Sequence, residues 1–137
     1  MIELTREQYE AVVAHARSGF PNEICGILAG RDGQVEVVHQ ANNVAPTPRT
    51  RFSMDPRDIL RITDTIEEAG MDLLGFYHSH AHTQAYPSPT DVADWPGRWY
   101  PNALCLICSL MEEDRPLLRA FHIDETGEIA EQPIQID

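Results

Sequence analysis

The stretch that decides the fold reads Gly75-Phe-Tyr-His-Ser-His-Ala-His-Thr-Gln-Ala-Tyr-Pro-Ser-Pro-Thr-Asp91. It begins within an apolar run over residues 73–78, which is typical of a strand in the middle of a sheet. A loop follows. Ser88 at a cap position and Pro89 in the first turn then predict the start of a short helix. The stretch therefore predicts a strand, a loop and a helix that carry several histidines and an aspartate.

On both sides of this stretch the sequence alternates between helix and strand patterns. A helix is expected over residues 5–17, where Thr5 and Gln8 can form a capping box. A second helix is expected to begin after Asp55 and to end at Gly70. Further strands are expected at residues 23–29 and 35–39, joined as a hairpin, at 50–54, 103–111 and 117–123, and at the C-terminus, ending near residue 136. These elements predict an α/β fold with a mostly antiparallel or mixed sheet, two longer helices and a short one.

The bulk composition limits what the protein can do. A length of 137 residues suits one compact domain, so residues 1–137 are interpreted as a single domain. The net charge of −12 disfavours nucleic acid and anionic membrane surfaces, because both need clustered basic side chains. The N-terminus shows no basic flank followed by an apolar stretch, and no apolar run approaches the ~20 residues of a membrane span. We therefore expect a cytoplasmic protein, whose oligomeric state stays open.

Two histidines and one aspartate form a candidate metal site. His78 and His80 are two residues apart at the end of the predicted strand, and side chains at positions i and i+2 of a strand share a face. Asp91 comes eleven residues after His80, and the loop between them can fold it back. Two histidines and a carboxylate leave the fourth tetrahedral position of a zinc ion open for water, as in catalytic sites. A His-x-His pair by itself says little, since solvated and core histidines are common.

The cysteines offer a competing site. Cys105 and Cys108 form a C-x-x-C, but they lie in an apolar run where a strand would point them to opposite faces. We interpret both as buried packing residues, together with Cys25. An odd number of cysteines without an export signal also argues against a disulfide framework. A nucleobase deaminase would need His-x-Glu and Pro-Cys-x-x-Cys, whereas Leu104 precedes Cys105 here.

The spacing of the polar residues resembles the signature of a known family. His78-Ser-His80, seven residues, Ser88, two residues and Asp91 resemble the signature of the JAMM (also called MPN+) metalloproteases. That signature includes a glutamate on an early strand, and Pro21-Asn-Glu23-Ile-Cys-Gly26-Ile-Leu-Ala-Gly30 resembles the segment that carries it. The resemblance covers almost the whole chain. It implies a JAMM/MPN, cytidine-deaminase-like fold and one zinc ion per chain, with His78, His80 and Asp91 as its ligands.

The resemblance also implies roles for two further residues. Glu23 would be the general base that takes a proton from water and then the acid that protonates the leaving amine. Without the resemblance, Glu23 would be interpreted as an exposed charge at the start of a strand. Ser88 would donate a hydrogen bond to the oxyanion, and its hydroxyl can cap the helix at the same time. His82, on the loop, is expected to be a solvated histidine.

Within this family the sequence resembles small bacterial members that act on ubiquitin-like sulfur-carrier proteins. The similarity is carried by residues 14–17, 23–26, 77–80 and 85–88. It implies hydrolysis of a peptide or isopeptide bond after the C-terminal Gly-Gly of the carrier, with release of an attached amino acid such as cysteine. The alternative is a non-catalytic interaction module on the same fold. Such modules typically lack parts of the metal set, and all five positions are present here.

Overall fold

The apolar run around Phe76 forms a central strand of one eight-stranded sheet. The computed structural model describes residues 1–137. The helices are α1 Arg6–Gly19, α2 Pro56–Glu68 and α3 Pro89–Ala93. The strands are β1 Ile2–Leu4, β2 Cys25–Arg31, β3 Gln34–Ala41, β4 Asp72–His80, β5 Leu104–Ser109, β6 Leu117–Ile123, β7 Ile129–Gln132 and β8 Ile134–Ile136. The mixed α/β architecture agrees with the sequence-based prediction.

The sheet curls so that its two ends meet. The strand order is β7-β6-β5-β4-β2-β3-β1-β8, and β4 pairs antiparallel with β2 and parallel with β5. The outermost strands β7 and β8 are separated along the chain by Pro133 alone, so the opposite ends of the sheet must lie side by side. Pro133 divides what the sequence predicted as one final strand, because proline has no N–H to give to a strand ladder. Its carbonyl accepts a hydrogen bond from Ile2 at 3.2 Å.

The two longer helices cover opposite faces of the sheet and begin at the predicted caps. Thr5 and Gln8 form the capping box of α1, with hydrogen bonds of 2.9 and 3.1 Å. Asp55 caps α2 by accepting a hydrogen bond from the N–H of Arg57 at 2.9 Å. The core under α1 includes Leu28, Tyr77 and Leu106, and the core under α2 includes Ile27, Ile62 and Phe76. None of the helices has the length and apolar character needed to cross a membrane.

The strand expected over residues 50–54 is not formed. This segment makes only one isolated bridge, between Asn43 and Met54. The N–H groups of Thr50 and Arg51 donate to the Thr47 carbonyl, at 3.2 and 3.3 Å. The Ser53 carbonyl accepts from the N–H of Val44 at 2.8 Å. The Asn43 side chain bonds the Arg51 carbonyl at 3.2 Å and the Ser53 N–H at 3.0 Å. That prediction was therefore wrong, because the start of the segment turns back on Thr47 and only its end pairs with the backbone around Asn43.

Candidate metal centre

The end of β4 presents two histidines on one face of the sheet. His78 and His80 are two residues apart in the strand, on the face that Phe76 also occupies, and both are buried. The intervening Ser79 points to the opposite face. The ring of Phe52 stacks on His78, with 4.5 Å between the ring centroids. The strand geometry and this stacking together orient the imidazoles.

The short helix α3 brings Asp91 to the same place. Ser88 and Asp91 form a reciprocal capping box, in which the Asp91 N–H donates to Ser88 Oγ at 3.0 Å and the Ser88 N–H donates to Asp91 Oδ2 at 2.9 Å. Asp91 Oδ2 lies 3.1 Å from Nε2 of His78 and 3.0 Å from Nε2 of His80. The two Nε2 atoms are 3.2 Å apart. The three residues that the sequence predicted as metal ligands are thus in mutual contact.

The hydrogen bond made by Nδ1 of His80 determines which atom of its ring faces His78 and Asp91. Its Nδ1 lies 2.8 Å from the carbonyl oxygen of Gln84, which can only accept, so Nδ1 carries a proton. In the neutral ring, Nε2 then presents a lone pair towards Asp91 Oδ2 and His78 Nε2. A proton on Nε2 of either histidine, or a metal ion, would stabilise this meeting of acceptors.

The charge states of the three groups fit this description. Hydrogen bonds from the histidines hold the pKa of Asp91 far below its usual range, although burial alone would raise it. Burial lowers the pKa of His78. Burial also lowers the pKa of His80, but Asp91 and the Gln84 carbonyl outweigh it and leave that pKa above its ordinary value. A bound cation would compete with protons for these groups, because a histidine or carboxylate binds a metal in its deprotonated form.

Glu23 reaches the same cluster from the residues before β2. Its backbone N–H donates to the carbonyl of Pro48 at 2.7 Å, and its carbonyl accepts a hydrogen bond from Asn43 at 2.9 Å. The residue is 6% exposed, and its side-chain Oε1 has no hydrogen-bond partner. Burial raises the pKa of this carboxyl to about 7, while His80 lowers it and Asp91 raises it. An unpartnered buried oxygen calls for an explanation, and a site that binds water or a cation supplies one.

Together these residues form a buried cluster that could hold a metal ion. Glu23, His78, His80 and Asp91 each offer one ligand atom, and these atoms lie within 4.8 Å of one another. A pocket of about 380 Å³ opens beside the cluster and uses His78 and Asp91 as part of its wall. Its apolar lining includes Met54, Ile59, Phe76, Trp95 and Tyr100. A substrate group next to the metal ligands has space in this pocket.

Ser79 has a structural role that the sequence analysis did not identify. Its Oγ accepts a hydrogen bond from the N–H of Ile24 at 2.9 Å, and its own N–H donates to the Ile24 carbonyl at 3.1 Å. Because Ile24 follows Glu23, these bonds fix Glu23 beside the end of β4. The signal available in the sequence was a serine between the two histidines, on the face turned towards the core.

The other candidate residues lie outside the cluster. Cys105 and Cys108 are free, buried and packed in different cores, as expected of residues on opposite faces of a strand. Cys25 is also free and buried, and burial raises its pKa to about 12, so it is not a reactive thiolate. His82 is exposed, as expected, and contacts the ring of Phe20 with 5.2 Å between ring centroids.

Comparison with known proteins identifies the family. The family model described as prokaryotic homologs of the JAB domain matches residues 5–124. The chain belongs to the JAB-domain family. The matched residues include Glu23, His78, His80 and Asp91, and the resemblance seen in the sequence is confirmed.

Individual JAB-domain relatives carry peptidase names. A desampylase of Haloferax volcanii is 40% identical over 116 residues, which are 79% of this chain and 80% of the relative. A CysO-cysteine peptidase of Mycobacterium tuberculosis is 34% identical over 128 residues, or 92% of this chain and 84% of the relative. A probable TtuB-protein conjugate cleaving protease of Thermus thermophilus is 39% identical over 90 residues, or 66% of this chain and 59% of the relative.

Solved structures agree with the fold. A solution structure of a protein from Desulfitobacterium hafniense superimposes with a TM-score of 0.87 at 39% identity, covering 100% of this chain and 93% of that one. A crystal structure of a JAB1/MPN domain protein from Archaeoglobus fulgidus gives a TM-score of 0.61 at 16% identity, covering 98% of both chains, and supports the fold alone. The fold predicted from the sequence is confirmed.

Proposed function

We propose that this JAB-family domain is a zinc peptidase in which His78, His80 and Asp91 bind the metal and Glu23 and Ser88 assist the reaction. The observation that carries the proposal is the convergence of two imidazole nitrogens and one carboxylate oxygen, 3.0 to 3.2 Å apart, beside the unpartnered carboxylate of Glu23.

Zinc suits this set of atoms. Ligand bonds of about 2.0–2.1 Å in a tetrahedral arrangement separate the ligand atoms by about 3.3 Å, close to the distances found here. Two histidines and one carboxylate are also a ligand set of catalytic zinc sites. When bound, zinc would polarise a substrate carbonyl and lower the pKa of a water molecule to about 7.

The protein groups around the metal supply proton transfer and charge stabilisation. Glu23 accepts the proton of the attacking water and returns it to the amine that leaves, which is the work of a general base and then a general acid. The Ser88 Oγ already accepts the N–H of Asp91, so its own proton remains available for the carbonyl oxygen of the substrate as negative charge develops there.

We further propose that the substrate is the extended C-terminal tail of a ubiquitin-like sulfur-carrier protein, cut after Gly-Gly. The ring of Phe52 stacks on His78, and the backbone N–H and C=O of Phe52 make no hydrogen bond within the chain, so they can bind an extended backbone. Glycines allow the closest approach of that backbone to the metal. Relatives named for CysO-cysteine and TtuB-protein conjugates support the same substrate class.

The test offers the zinc-loaded protein two substrates at equal concentration. One is a ubiquitin-like carrier with one residue added after its Gly-Gly, and the other is a linked diubiquitin. We expect release of the added residue, seen by mass spectrometry, with slower cutting of diubiquitin and no cutting after metal removal by a chelator. Cutting of diubiquitin without action on the extended carrier would contradict the proposed substrate but leave the peptidase assignment intact. No cutting of either would favour the non-catalytic interaction module.

A further inference from the structure

The pocket beside the cluster has a cation on its rim. Arg51 and Asp94 form an ion pair there, with 2.8 Å between Nη2 and Oδ2. Asp94 follows Asp91 by three residues at the end of α3, and residues at this spacing have Cβ atoms about 5–6 Å apart. Arg51 precedes Phe52, which stacks on His78. Arg51 therefore pairs with a residue one helical turn after Asp91, and it directly precedes the residue that stacks on His78.

This ion pair is one that a substrate can open. The side chains of Arg51 and Asp94 are 46% and 53% exposed, and pairs with that exposure contribute little to stability. One nitrogen of Arg51 contacts Asp94, so other N–H donors of the planar guanidinium remain available. A displaced Asp94 carboxylate would return to water, so the exchange leaves no charge buried.

We infer that Arg51 binds the α-carboxylate of the residue that leaves, and that the pocket thereby selects a single amino acid attached through its α-nitrogen. The inference rests on the proposed function. A residue joined through its α-nitrogen carries its carboxylate carbon two bonds from the nitrogen of the cut bond. A lysine joined through Nζ has only methylenes at that place. Arginine binds carboxylates through strong charge-assisted hydrogen bonds, so Arg51 distinguishes the two kinds of leaving group.

The rest of the pocket lining indicates which kind of side chain the leaving residue carries. Its apolar wall is formed by residues of the core under α2, namely Met54, Ile59, Phe76, Trp95 and Tyr100. Such a lining favours an apolar side chain, because contact with these residues removes apolar surface from water. The preferred leaving group is thus a free amino acid with an apolar side chain.

The test compares three forms of one ubiquitin-like carrier. The first carries one methionine after Gly-Gly with a free carboxylate, the second carries the same methionine as a carboxamide, and the third is joined to Nζ of N-acetyl-lysine amide. The quantity measured is kcat/KM for zinc-loaded wild type, Arg51→Gln and the control Arg49→Gln. Arg49 is exposed and lies outside the pocket lining.

We expect the wild type to prefer the carboxylate over the carboxamide by about tenfold or more, since a hydrogen bond to a charged group is lost. Arg51→Gln should bring that ratio close to one, and Arg49→Gln should keep it. Equal cutting of both forms by the wild type, or an equal loss on both in Arg51→Gln, would overturn the inference and leave the peptidase assignment intact. Failure to cut any of the three forms would instead overturn the proposed function.

Discussion

The backbone of Glu23 is fixed by hydrogen bonds, whereas one oxygen of its carboxylate has no hydrogen-bond partner. Hydrogen bonds to Pro48 and from Asn43 hold its peptide groups, and the neighbouring Ile24 is tied to Ser79. Its buried Oε1 has no partner, and leaving such an atom unpaired costs about 1–3 kcal/mol. The position of Glu23 therefore does not depend on its carboxylate, which is free to act on a substrate.

Replacing Glu23 with glutamine should remove catalysis without removing the site. The amide keeps the shape of the side chain but cannot take a proton from water, and a positioned general base contributes about 10²–10⁴-fold to the rate. We expect Glu23→Gln to lose turnover by that factor while it keeps its zinc content and its thermal unfolding temperature. Turnover is measured on a carrier extended beyond Gly-Gly.

The matched control is Glu10→Gln. Glu10 is an exposed residue of α1, which covers the face of the sheet opposite His78, so its replacement should leave turnover unchanged. Near wild-type turnover of Glu23→Gln would place the general base elsewhere, and His82 would be the next residue to replace.

The C-x-x-C of β5 serves packing. Cys105 and Cys108 lie in different cores, and burial raises the pKa of both thiols, that of Cys108 to about 11. Changing either to alanine removes one buried heavy atom, a loss comparable to Ile→Val, which costs about 0.5–1.5 kcal/mol. We expect each variant to lower the free energy of unfolding in urea by about this amount and to retain zinc.

Turnover separates this interpretation from a catalytic one. Cys108 lies under α1, on the face away from the histidines, so Cys108→Ala should hydrolyse the extended carrier as the wild type does. Loss of hydrolysis by a folded Cys108→Ala, at unchanged zinc content, would contradict the packing role.

Elements whose pattern is local could be predicted from the sequence, and those that depend on a distant partner could not. The strand and helix around His80 and Asp91 follow from an apolar run and a cap, both of which lie within the stretch itself. The segment over residues 50–54 has the composition of a strand, but its first N–H groups bond the Thr47 carbonyl and the Asn43 side chain bonds two more of its backbone groups. Nothing near Asn43 in the sequence shows that its side chain would reach across the loop.

The proposed metal ligands could be predicted from local spacing, whereas Glu23 and the pocket could not. The spacing of the two histidines and Asp91 indicated a shared ion, because strand and helix geometry fix their directions. The inclusion of Glu23 rested on resemblance, since its place beside β4 depends on the pairing of β2 with β4 and on Ser79. The pocket and its Arg51–Asp94 rim depend on how separate segments pack, which no local pattern shows.

At the scale of the whole molecule, the curled sheet accounts for the elements at the chain ends. The three residues of β1 are too few for a periodic pattern, and the strand exists because it pairs with both β3 and β8. Pro133 separates β7 from β8, so two strands that follow each other in the chain pair at opposite ends of the sheet. Within this sheet, the pairing of β2 with β4 brings the segments around residues 23 and 78 together, and α3 adds Asp91 to the same cluster.

The zinc content of the purified chain tests the central claim most directly. Elemental analysis should find about one zinc ion per chain in the wild type, and far less in His80→Ala, since a ligand is lost from a set of three. The control His82→Ala changes a histidine two residues after His80 but outside the cluster, and it should keep its zinc. A wild type without zinc after loading and desalting, or His80→Ala with its zinc unchanged, would contradict the account.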